Sequence, residues 1–326
     1  MEYRKLGNSS LEVSVICLGT WAFGGDRWWG HQEDKDSTEV LEEALARGAN
    51  FIDTAPVYGR GHSEEVIGSF IAQGNIREKV VLATKLGLRW DGRSIFHDLS
   101  RKRMFDEIDA SRKRLKTDYF DLYQVHWHDP DTPIGQTAEI MHKFYQEGII
   151  KAIGVSNYSV AQIKEFMEYA PIHSLQPPYS MFDRAIEEDI IPFCIENSIS
   201  IITYAPLYSG LLTGKFFLDD TKIPGDINRK MKSQHLEEPC FSINKMTLLK
   251  LKKIADKNGK TLAQLALNWN FNQRGITSAI AGTRKLAQLY DNLGSADWRL
   301  AEEDLTTIGN ILSQRLIEIE RVEEKV

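Results

Sequence analysis

Short β-branched runs alternate with amphipathic helical stretches along almost the whole of this chain, and that alternation confines the fold to βα units around a parallel sheet. Eight runs qualify as strands: Val15–Leu18, Asn50–Asp53, Val80–Thr84, Leu122–Val125, Ala152–Val155, Ser174–Gln176, Ile199–Thr203 and Ser278–Ala281. Helix ends are marked between them. Asp36 to Glu39 reads as an N-cap with its capping acid, Ser159–Gln162 and Thr261–Gln264 as capping boxes, and Gly48 as a helix stop. Leu6–Val13, with Gly-Asn-Ser-Ser in its middle, reads as a β-hairpin ahead of the first parallel strand. Neither a composition break nor a Pro/Gly/Ser linker divides the chain, so the expectation is one domain over residues 1–326, a closed (β/α)8 TIM barrel. One interval is too long for the rhythm. Between Tyr204 and Ser278 the chain must hold a long loop, centred on the polar stretch Asp219–Glu238, plus an extra helix. An amphipathic helix over Glu302–Glu318 would close it.

Composition narrows the function. A net charge of −6 gives no basic footprint for nucleic acid or anionic membrane. Cys17, Cys194 and Cys240 form no CxxC pair and no disulfide framework, and read as reduced thiols. The start lacks an apolar export segment and no run approaches the roughly 18 apolar residues of a membrane span. A cytoplasmic protein without nucleic-acid, membrane or obligatory protein partner is expected.

Three of the strands end in acid–base residues. Asp53 and Tyr58 follow NFI, Lys85 follows VVLAT, and His126 follows FDLYQV. In a barrel of this kind the C-terminal strand ends share one face, so the four side chains can converge. A free phenol has a pKa of about 10 and gives up its proton poorly at neutrality. A neighbouring ammonium lowers that value, and a carboxylate would keep Lys85 charged and aimed. Tyr58 then serves as a general acid, and His126 as a hydrogen-bonding group that orients a carbonyl oxygen.

Other chemistries fit less well. His126 and His128 form an HxH that could bind a metal, but the later strand ends offer Ser156, Asn157 and Gln176 rather than carboxylates or imidazoles, so no metal is expected. Lys85 as a Schiff-base lysine would need to be neutral, whereas Asp53 would hold it charged. GLLTGKF (Gly210–Phe216) has three residues between its glycines and lacks the Ser or Thr of a phosphate-binding P-loop, and no GxGxxG follows the first strand. Trp21, Trp28 and Trp29 in the glycine-rich first loop, and Trp127 beside His126, are candidate pocket walls.

The chain resembles the aldo-keto reductases. The resemblance rests on GANFIDTAPVYGRGHSEEVIG (Gly48–Gly68), ATKLG around Lys85, DYFDLYQVHW (Asp118–Trp127), AIGVSNYS (Ala152–Ser159), ITYAPLYSGLLTGKF (Ile202–Phe216) and IAGTRKLAQLYDNL (Ile280–Leu293), and so covers nearly the whole length. It implies an NADP-dependent oxidoreductase of the carbonyl reductase or alcohol dehydrogenase type, with hydride transfer from NADPH to an aldehyde or ketone and Asp53, Tyr58, Lys85 and His126 as the catalytic tetrad. It further implies that Ser156, Asn157 and Gln176 hold the nicotinamide carboxamide and that Tyr204 stacks on the ring. Pro206, Leu207, Ser209, Leu211 and Lys215 would lie along the pyrophosphate, and Gly282, Thr283, Arg284, Gln288 and Asn292 would hold the adenosine end. Arg284 suits a 2′-phosphate because a guanidinium offers paired donors, and Arg229 in the long loop would join it. Two departures, Ala49-Asn50 before the tetrad aspartate and Pro177-Pro178 after Gln176, suggest a bacterial-type branch with its own substrate pocket. An alternative is a regulatory subunit that senses NADPH with the same fold and little turnover, although no N-terminal interaction tail is evident.

Overall fold

The computed structural model describes residues 1–25, 29–92, 94–218 and 233–323. Its centre is a closed barrel of eight parallel strands: β3 (Ile16–Gly19), β4 (Phe51–Asp53), β5 (Val81–Leu86), β8 (Leu122–Val125), β9 (Ile153–Ser156), β10 (Ser174–Gln176), β11 (Ser200–Thr203) and β12 (Ile276–Gly282). Each corresponds to a run expected from the sequence. They form because Val, Ile and Leu recur where both sheet faces are covered, and parallel strands buried on both sides tolerate little else.

Ahead of the barrel, β1 (Tyr3–Lys5) and β2 (Glu12–Ser14) pair antiparallel, with Leu6–Leu11 as the connection. Leu6, Leu11 and Val13 from this hairpin pack with Cys17, Phe51, Ala83, Leu122, Ala152, Ile202 and Ile280 to plug the bottom of the barrel. Asn50, one of the two departures, fastens the plug: its Nδ2 donates to Glu12 O at 2.9 Å and its Oδ1 accepts from Ser14 N at 2.9 Å.

Helices α1 (Asp34–Ala46), α2 (His62–Gly74), α3 (Arg101–Leu115), α4 (Ile134–Gln146), α5 (Val160–Met167) and α6 (Ile190–Glu196) alternate with the strands, and a separate, larger apolar layer lies between the barrel and its coat. Both capping boxes form, with Ser159 and Thr261 each accepting from the third helical N–H and receiving a glutamine in return. Gly48 lies just past the end of α1 with φ 84°, as a helix stop requires. The expected start at Asp36 is corrected, because α1 begins at Asp34 with Glu33 as its N-cap, and Asp36 is an acid of the first turn that favours the positive end of the helix dipole.

After β11 the described chain holds short turns and then two helices, Cys240–Lys257 and Leu262–Phe271, before β12. Most of the stretch Asp219–Glu238, including Arg229, lies outside the described residues. The closing helix runs from Glu302 to Glu323, one turn and more beyond the expected end. A second antiparallel hairpin, β6 (Leu88–Asp91) with β7 (Ser94–His97), follows β5 and was not anticipated. Its root is held by the buried Glu107 on α3, whose Oε2 accepts from Gly87 N at 2.9 Å while its Oε1 accepts from Arg103 Nη2 at 2.7 Å. Burial pushes the Glu107 carboxyl up to about 7 against the pull of Arg103 and the Gly87 amide. Among the described residues no helix is long and apolar enough to cross a membrane.

Candidate active site

Strand parity builds the site. In a strand, alternate residues share a face, and register pairs Asp53 with Ala83, Lys85 with Gln124, Gln124 with Gly154, and Ser156 with Gln176. The barrel interior therefore changes from an apolar plug at the bottom to a polar layer at the C-terminal strand ends. Asp53, Lys85, Gln124 and Gln176 form that layer, each at most 3% exposed.

Lys85 Nζ is its hub, donating to Asp53 Oδ2 at 2.5 Å, to Thr54 O at 3.0 Å and to the Tyr58 hydroxyl at 3.2 Å. The other carboxylate oxygen, Asp53 Oδ1, accepts from Gln124 Nε2 at 3.2 Å and Gln176 Nε2 at 3.0 Å. Burial draws the Lys85 ammonium down, but Asp53 and Tyr58 outweigh it and hold the pKa above the ordinary lysine value. A nucleophilic Schiff-base lysine would need the opposite shift.

The Tyr58 hydroxyl differs from expectation in its balance. Removal from water raises its pKa, Asp53 adds to the rise, and the lowering by Lys85 only partly offsets it. The phenol therefore stays protonated at neutrality. Its ring meets His126 edge-on, with centroids 6.1 Å apart. Burial and the Lys85 charge push the His126 imidazole well below its usual range, so it is neutral and can donate one ring N–H.

The first loop closes over Tyr58. The Trp21 ring stacks on it at 5.9 Å, and Trp29 meets Trp21 edge-on at 5.5 Å. Two glycines permit this approach: a Cβ on Gly24 would stand 2.4 Å from Gly59 N, and one on Gly59, at φ +60°, would meet the Gly24 backbone at the same distance. Trp127 stacks on His97 of β7 with centroids 6.1 Å apart, which brings the unanticipated hairpin to the mouth of the site. Trp28 lies outside the described residues. His128 turns to Tyr158 instead of sharing His126's surroundings, and among the described residues no group of three or more metal-ligating side chains gathers.

Along the next strand ends, Ser156 Oγ donates to Gln176 O at 2.7 Å, and Asn157 Nδ2 donates to His126 O at 3.1 Å. Asn157 Oδ1 accepts from the Tyr204 hydroxyl at 2.9 Å. Asn157 itself is left-handed, at φ 59°. With Asn157 Nδ2 also donating to Ser156 Oγ at 3.0 Å, Ser156, Asn157, Gln176 and Tyr204 form one hydrogen-bonded row beside Lys85, Tyr58 and His126. Past Tyr204 the backbone is left-handed at Ala205, Tyr208, Ser209, Gly210 and Gly214. Such consecutive turns gather peptide N–H groups into a concavity that suits an anion, and non-glycine residues seldom hold this conformation without a use for it. Pro206 and the Leu211 side chain are buried beneath that turn, Leu207 and Ser209 are half-buried, and exposed Lys215 opens the helix after it.

The last group assembles around Arg284. Asn292 Nδ2 donates to Thr283 Oγ1 at 3.1 Å and reaches Gly282 O at 3.5 Å, while Gln288 Oε1 accepts from Arg284 N at 2.9 Å. The Arg284 guanidinium is engaged by the first loop: it donates to Trp29 O at 2.8 Å, His31 O at 2.6 Å and Gln32 Oε1 at 2.9 Å. Sequence reasoning passed over Gln32, Gln124, Gly24 and His97. Gln124 lies two residues before His126, which stands just past the end of β8, so parity puts it on the same face, although its chemical type alone gives no signal.

The model of the aldo/keto reductase family matches residues 15–313. The aldo-keto reductase YhdN of Bacillus subtilis is 41% identical over 97% of this chain and 95% of its own length. An NADH-specific methylglyoxal reductase of Escherichia coli is 32% identical over 92% of this chain and 95% of its own. Among solved structures, a glycerol dehydrogenase from Gluconobacter oxydans superposes with a TM-score of 0.88 and 35% identity, covering 96% of this chain and 95% of that one.

Proposed function

The chain belongs to the aldo/keto reductase family, and on that premise we propose that it reduces small aldehydes or ketones to alcohols with NADPH, Tyr58 supplying the proton. The observation that carries the reading is the Lys85 ammonium bonded at once to Asp53 and to the Tyr58 hydroxyl.

The residues present fit a nicotinamide dinucleotide. The run of left-handed backbone from Tyr208 to Gly210 suits a pyrophosphate, and the Ser156–Asn157–Gln176–Tyr204 row suits a nicotinamide with its carboxamide. When bound, the reduced cofactor supplies the hydride. Tyr58 holds its proton through neutral pH and directs it at the substrate oxygen. Lys85 stabilises the phenolate left behind, because its charge lies against that oxygen in a site that water does not screen. Neutral His126 donates to the same substrate oxygen and fixes the carbonyl's orientation. Trp21, Trp29 and Trp127 form the apolar walls.

Arg284 is assigned the cofactor's 2′-phosphate, and this favours NADP over NAD. The NADH named for the E. coli relative makes a direct comparison of the two cofactors necessary. The reading is tested with a panel of small aldehydes and ketones, followed by loss of NADPH absorbance and repeated with NADH. Turnover of at least one carbonyl with NADPH preferred is the expected result. Tight NADPH retention with no turnover on any carbonyl would place the chain with the sensing subunits instead.

A further inference from the structure

We propose that Gln124 is a positioning residue that fixes which end of the Gln176 amide is offered to the carboxamide of the nicotinamide. This rests on the cofactor reading above and extends it to a residue outside the tetrad.

The amide orientations follow from the chemistry of their shared partner. An ionised carboxylate only accepts, so the Gln124 and Gln176 atoms 3.2 Å and 3.0 Å from Asp53 Oδ1 are both NH2 groups. Gln124 then presents Oε1 to Gln176 Nε2 at 3.1 Å and takes that group's second hydrogen. The Gln176 NH2 is thus held twice, by a carboxylate and by an amide oxygen. Its Oε1 remains, and among the described residues no donor reaches it. An acceptor fixed in this way at the nicotinamide position selects for a donor, and the carboxamide NH2 is one.

Gln124 has the rigidity for the task. It is fully buried, and Gly154 on the next strand leaves it room: a Cβ there would stand 2.7 Å from Gln124 Cγ. Without Gln124, Gln176 keeps a single tether and its buried second N–H seeks another partner by turning the amide.

The test uses binding, not turnover. NADP+ and its 3-acetylpyridine analogue, in which a methyl replaces the carboxamide NH2, are titrated against the protein by tryptophan fluorescence quenching. Phosphorylated ADP-ribose, which lacks the nicotinamide, reports on the rest of the site. The native protein should bind the analogue roughly tenfold more weakly, because the Gln176 oxygen loses its donor. Gln124→Met should bring the two dinucleotides within about twofold of each other while ADP-ribose phosphate binds as before. Gln124→Glu supplies a second arm, since the introduced carboxyl accepts from the Gln176 amide in either protonation state. That variant should therefore keep its discrimination between the two dinucleotides, because the Gln176 amide is still held twice.

Equal binding of both dinucleotides by the native protein, or undiminished discrimination in Gln124→Met, overturns the proposal while leaving the cofactor reading in place. If Gln124→Met fails to fold, loss of discrimination in Gln124→Glu overturns it equally. Failure of the native protein to bind either dinucleotide would overturn both.

Discussion

At the scale of single residues, charge placement matters more here than any one pKa. Burial holds the Tyr58 phenol protonated, and in the proposed mechanism the Lys85 ammonium, 3.2 Å from its oxygen, stabilises the charge that proton transfer would create. Tyr58→Phe should therefore lower kcat by about a hundred- to ten-thousandfold with little change in NADPH affinity, and near-normal turnover would remove Tyr58 from the acid role. Asp53, Lys85 and His126 were legible as candidates because each stands at the end of a β-branched run, with Tyr58 in the turn just past Asp53, so that barrel topology brings the four side chains to one face. The direction of the Tyr58 shift was not. It depends on how burial weighs against Lys85 and Asp53, and that balance is set by tertiary packing, including the Trp21 ring. Gln124 was hidden for a different reason: a glutamine inside an apolar strand carries no chemical signature until its partners are known.

At the scale of elements, strands were more legible than helix starts or hairpins. Continuous apolar runs identify buried parallel strands, whereas the position of an N-cap among several acids, as at Glu33 to Asp36, is decided by how α1 docks. The β6–β7 hairpin lacks alternation, with β7 exposed along its length, and only the Asp91-Gly92 turn betrays it. Its root makes a pH prediction. Glu107 has a folded pKa of about 7 against 4.5 unfolded, so the folded state binds the extra proton between those values. The stabilisation this gives is complete below the unfolded pKa and is lost as pH rises through about 7. Glu107→Gln removes that titration. The Tm of the native protein relative to this variant should therefore fall between roughly pH 5 and 8, and a gap independent of pH would show that Glu107 does not titrate there.

At the scale of the whole molecule, the barrel divides its labour by depth. An apolar lower layer around Phe51 is buried below a polar layer that holds the proposed catalytic groups. Phe51→Ala should cost about 3–5 kcal/mol in denaturant unfolding, since a ring this enclosed leaves a cavity that rigid strands cannot fill. Loss of under about 1 kcal/mol would mean that the plug relaxes into the space. The eight-strand closure was readable from alternation, while the way distant loops meet above it was not. Arg284→Ala should weaken NADPH far more than NADH in a binding titration, and equal losses would defeat the phosphate assignment.

The grip of Arg284 on Trp29, His31 and Gln32 carries a consequence for anyone retooling this protein. A substitution chosen there to change the coenzyme would also unfasten the segment whose indole braces Trp21. If Arg284 holds the 2′-phosphate as proposed, coenzyme choice and the shape of the entrance are not independent dials. A redesign of the first would have to supply a new strut for the second.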